Sequence, residues 1–172
     1  NRTNDPRNKQ YPWGNPHPRH PISAHDQERS AVGNELMKLT LRPVRVCIAE
    51  NVPWVFENPA ASRCFDTPEW KNIVRLPSVC QIFFGQCSCG APWKKPTRLI
   101  FGGGIDTVDL GMFDNRRCNA PGPCVFTGKH LIQLTGSSPG GIPWARRAQE
   151  YPCRMCDKIA KILSNPLRSH RS

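Results

Sequence analysis

The sequence predicts an α/β domain, a sheet with flanking helices entered through an irregular N-terminal arm, and three observations carry that prediction. The run Val52-Pro53-Trp54-Val55-Phe56 is apolar and uncharged and ends near Pro59, which reads as a buried strand. Val79-Cys80-Gln81-Ile82-Phe83-Phe84 reads as a second strand, and a third apolar strand follows the basic cluster through Leu99, Ile100 and Phe101. Around these runs the apolar period becomes helical, so strands and helices alternate in order.

Residues 1–25 hold five of the 18 prolines and almost no aliphatic side chains, so they predict an irregular, solvated basic arm. Residues 26–163 form the domain, and 164–172 a basic tail. From Asp26 onward, Val32, Leu36, Leu39, Val44, Val46, Cys47 and Ile48 recur at near-helical spacing between charged residues. They predict an amphipathic helix packed on the sheet, which Pro43 should kink or divide. Thr67-Pro68-Glu69-Trp70 predicts a short helix with Thr67 as N-cap and Pro68 at its first position. The closing stretch predicts a helix that buries Met155, Ile159, Ile162 and Leu163.

A chain of 172 residues suits one domain. It opens without Met on a polar stretch, which suggests a piece of something longer. No apolar run reaches the roughly twenty residues of a membrane span and no signal peptide is present, pointing to a soluble, intracellular protein. Lys and Arg number 24 against 13 Asp and Glu, a formal charge of +11, so polyanions are the natural partners.

Candidate chemistry starts at Glu57-Asn58, the first polar pair after the buried strand. Ligands of open α/β sheets gather outside the carboxyl ends of strands, so a carboxylate and an amide at that point are well placed. A turn-opening role for Asn58-Pro59 is the plain alternative. The preceding Glu50-Asn51-Val52 lies at a helix end, before the strand, and is set aside. Lys94, Lys95 and Arg98 follow the second strand and should flank the Glu57 edge as base or phosphate contacts.

These stretches resemble the C-terminal part of a DNA cytosine-5 methyltransferase catalytic domain. Glu57-Asn58 matches that family's Glu-Asn-Val motif, and Gly90-Ala91-Pro92 opens its later Gly-x-Pro motif. Ala148 to Leu163 is similar to the family's closing turn and helix. The resemblance implies a partial Rossmann-like methyltransferase sheet, S-adenosylmethionine as methyl donor and DNA as partner, in the nucleus or another DNA-containing compartment. It gives Glu57 the role of holding the N3 edge of a flipped cytosine. The chain also departs from the family. Trp93 replaces a Gln, Lys95 and Thr97 stand where two Arg are expected, and Arg98 is one place late. Pro123-Cys124 and Pro152-Cys153 fall after the Gly-x-Pro stretch, in the wrong order for the nucleophile. The Gly-rich cofactor strand is also missing. By this reading the chain does not methylate alone, and an N-terminal half of the same domain is a candidate partner.

Nine cysteines in an intracellular chain raise the question of zinc. Candidate ligands are Cys118, Cys124, His130, Cys153 and Cys156, three or four of which would fasten the Gly-rich stretch from Gly102 to Gly141. Equally, Cys153 and Cys156 start the closing helix and can be core. The alternative to the methyltransferase reading is therefore a basic, zinc-stabilised nucleic-acid-binding module without catalysis.

Overall fold

The computed structural model describes residues 6–18, 20–113, 118 and 124–165. The sequence-predicted arm therefore lies outside the described residues at 1–5 and 19, and the basic tail at 166–172.

Helix α1 spans Ala24–Ala49. The Ser23 hydroxyl caps it by accepting from the Asp26 backbone N–H at 3.1 Å, and Glu50 closes it, as its place at a helix end predicts. Pro43 does not divide it; the helix runs through as one element. The buried face matches expectation in part: Val44, Cys47 and Ile48 pack on the core as predicted. Met37, Leu41, Val44 and Ile48, spaced by four, three and four, form the stripe that meets the sheet. Val32, Leu36, Leu39 and Val46 sit on the neighbouring face and are more than half exposed. Two apolar stripes are interleaved in this helix, and the sheet takes one.

Strand β1 (Trp54–Pro59), helix α2 (Pro68–Ile73), strand β2 (Cys80–Gly85) and strand β3 (Pro96–Gly102) follow. Thr67 caps α2 through its hydroxyl, which accepts from the Trp70 N–H, with Pro68 at the first position as predicted. The sheet order is β1-β3-β2 with both pairings antiparallel, so β1 and β2 run in the same direction on either side of β3. Among the described residues this three-stranded sheet is the whole of the regular β-structure. The fold is thus mixed α/β. At the end of β3, Gly103 has φ +79°, and a Cβ there would meet the Val52 carbonyl oxygen at 1.8 Å, so only glycine allows that approach.

Side chains alternate along the strands and give the sheet two cores. One face packs Trp54, Phe56 and Ile100 against α1, α2 and the turn Arg63–Asp66. Its centre is Trp70, fully buried, stacked on Phe56 at 4.2 Å and donating from its indole N–H to Met37 Sδ at 2.9 Å. The other face packs Val55, Ile82, Phe84, Leu99 and Phe101 against Phe113 and helix α4 (Cys153–Ser164), which buries Met155 and Ile162 as predicted. The arm is better tied than a solvated tail. Trp13 packs on the first core, and its carbonyl accepts from Asn34 Nδ2 at 2.6 Å.

Candidate metal centre

Cys87 lies in the tight turn Gln86–Cys89, directly after β2, where the buried strand end fixes its position. The side chains of Cys118, Cys124 and His130 converge on it, and the four ligand atoms all lie within 4.8 Å of one another. Cys118 Sγ is 3.4 Å from His130 Nε2. A tetrahedron with Zn–S near 2.3 Å and Zn–N near 2.0–2.1 Å separates its ligand atoms by roughly 3.6–3.8 Å, so only small side-chain shifts close this set around an ion. The loop that carries Cys124 is itself a tight hairpin. Cys124 and Gly128 exchange backbone hydrogen bonds of 3.0 and 2.7 Å, and Gly128 takes φ +72° to close it.

The three cysteines are buried and packed with Phe126. Burial and the neighbouring sulfurs of Cys124 and Cys118 push the Cys87 thiol up to about 12. Burial also pushes the Cys124 thiol up, but hydrogen bonds from the Thr127 hydroxyl and the Phe126 and Thr127 backbone outweigh it and bring it to about 6. Thiols crowded this way resist joint ionisation, and a divalent cation removes that conflict because each ligand then binds as thiolate.

Of the sequence-nominated ligands, Cys118, Cys124 and His130 come together here. Cys153 and Cys156 do not: both are exposed on α4, neither ligands nor core, because Met155, Ile159 and Ile162 turn the opposite side of the helix to the sheet. Cys87 takes the fourth place. Its nearest sequence neighbours offer no ligand pattern, and the one available signal was a cysteine placed immediately after a buried strand.

Glu57 and Asn58 lie within β1, paired with Leu99 and Arg98, rather than after the strand. Alternation sends them to opposite faces. Glu57 points to the α4 side, where Tyr151 donates its phenol to Oε2 at 2.7 Å, while Oε1 is buried without a hydrogen-bond partner. Burial and the Glu57 carboxylate push the Tyr151 phenol above its ordinary range. Lys95 joins this group: its ammonium is 5.8 Å from the Tyr151 ring centre and donates to the Ala148 carbonyl at 2.9 Å. Arg98 is on the far face, its guanidinium 4.1 Å from the Phe65 ring centre and bonded to Gln81. Lys94 lines a separate pocket with Phe83, Pro96 and Cys118.

Among the described residues no helix is long and apolar enough to cross a membrane. No family model, curated protein or solved structure matches the chain.

Proposed function

We propose that Cys87, Cys118, Cys124 and His130 hold a structural zinc ion, and that the loop it fastens belongs to a nucleic-acid-binding module. The observation that carries this is the convergence of four ligand atoms within 4.8 Å. Three thiolates and an imidazole suit zinc, and four protein ligands leave no open position for a reacting water, which marks a structural rather than a catalytic site. The charge of +11 supplies the attraction to phosphates. Metal analysis of the purified chain tests the site: about one equivalent of zinc is expected, lost in Cys87→Ser and Cys124→Ser. Zinc well below one equivalent, or retained in both variants, removes the reading.

A second reading, part of an S-adenosylmethionine-dependent DNA cytosine-5 methyltransferase-like domain, is favoured by one observation. Glu57 presents a buried carboxylate oxygen with no donor, beside Tyr151 and Lys95. A base edge is one group able to satisfy it. Such a domain would draw its methyl donor site and nucleophile from an upstream half. The test is binding of a duplex that presents one cytosine opposite an abasic site. Glu57→Gln should weaken it roughly tenfold relative to the same duplex carrying thymine; equal losses for both bases would sink this role.

A further inference from the structure

Beside the metal loop lies an open cleft of about 660 Å³. Its lining includes the indoles of Trp93 and Trp144, the guanidinium groups of Arg146 and Arg147, and a single carboxylate, Glu150. Resting on the nucleic-acid reading above, we propose that this cleft takes single-stranded nucleic acid, with a base stacked on the Trp144 indole and Arg146 on the adjoining phosphate.

The cleft is built in advance from three directions. Trp93, in the connection from β2 to β3, pairs with Ile132 in a short parallel bridge, and its indole N–H donates to Gln86 Oε1 at 3.2 Å. Gln86 precedes the ligand Cys87, and Ile132 follows the ligand His130 by two residues, so the metal holds both supports of Trp93. Trp144 opens the short helix α3 (Trp144–Arg147), and its backbone N–H donates to the Gly136 carbonyl at 3.1 Å. Lys95 anchors the end of α3 through Ala148.

The chemistry selects the ligand. Indoles offer flat apolar faces to any base, and guanidinium groups contact phosphate without reading sequence. Arg147 already sits 5.6 Å from the Trp144 ring centre, so a base on the other indole face completes an Arg–indole–base stack. Among the described lining residues two arginines outnumber the one carboxylate, which makes this lining net positive. Stacking needs the base out of a duplex, so a single strand is the form that fits.

The test uses the zinc-loaded chain and a fluorescein-labelled dC12 oligonucleotide, read by anisotropy at low salt, with a 12-base-pair duplex alongside. Wild type should bind dC12 more tightly than the duplex. Trp144→Ala should weaken dC12 binding about tenfold with zinc content unchanged, and Trp144→Phe should recover most of it. Arg146→Gln should flatten the salt dependence. The proposal is overturned if Trp144→Ala binds dC12 like wild type, if Phe is as poor as Ala, or if wild type with a full zinc complement prefers the duplex or binds neither. Absence of zinc with Trp144-dependent dC12 binding intact would instead remove the metal reading and leave the cleft standing.

Discussion

Residues 24–113 and residues 118–150 are held together by different physics. The first region buries large side chains on both faces of its sheet, with Trp70, Phe84, Leu99, Ile100 and Phe101 almost wholly withdrawn from water. In the second, the buried residues among those described are Cys118, Cys124, Ser138 and Ala148, while Val125, Leu131 and Ile142 are exposed. Among its described residues the regular structure is one short helix and a few isolated bridges. Hydrophobic burial at about 25 cal/mol per Å² stabilises the first region and offers the described residues of the second far less. A segment whose described residues bury little beyond the cysteine cluster needs a staple, and that cluster is where one fits.

Stripping the metal should give the largest effect. In zinc-finger peptides, zinc binding supplies on the order of 10 kcal/mol of apparent folding free energy. After chelation, limited proteolysis should cut within 124–150 while amide exchange in β1, β2 and β3 stays slow. Uniform loss of protection would mean that the two regions are not separable. The converse experiment strikes the first region. Trp70→Ala removes the residue stacked on Phe56 and bonded to Met37, and should cost about 3–5 kcal/mol in denaturant unfolding. Zinc stoichiometry of the folded fraction should be unchanged; a fall in parallel with stability would contradict the division.

Tyr151→Phe touches the seam between the regions. It leaves both Glu57 oxygens without a donor and should cost about 1–2 kcal/mol. The phenol's pKa is raised in the folded state, so the stability it contributes is complete below the ordinary tyrosine value near 10. It is lost as pH rises through the higher folded value. Wild type should therefore lose its advantage over Tyr151→Phe only in strongly alkaline solution; a constant gap there would place the effect elsewhere. Smallest of all, Cys153→Ser with Cys156→Ser should leave both zinc content and melting temperature nearly unchanged, since both thiols face solvent. A drop in bound zinc would show that α4 supplies ligands after all.

The first region was largely legible in the sequence because its signals are local. Thr67-Pro68 named its helix start and the Val79–Phe84 run its strand, and in α4, which packs on the sheet, Met155 and Ile162 named the buried face. The exposed second stripe of α1 was not legible, because periodicity shows that a face is apolar without showing which face a sheet will choose. The candidate site was read in part. Cys118, Cys124 and His130 are close in sequence and were found, whereas Cys87 meets them only through the path of β3. Cys153 and Cys156 misled because a Cys-x-x-Cys spacing is the same on a ligand turn and on the wet side of a helix. The end of β1 was placed too early and Glu57 therefore beyond it, since the chain stays extended through Asn58 and Pro59 in its ladder with β3.

The position of Cys87 before β3, with the other three ligands after it, makes the cluster a clasp around a strand. Cys118, Cys124 and His130 can gather by local search, but the ring shuts only once β3 has returned between β1 and β2 and set Cys87 opposite them. Capture of the proposed zinc would then report that the sheet has been assembled in the right order. A chain that mispairs its strands would offer an ion three ligands and a water, hold it weakly and release it, and so lose the clasp on its second region.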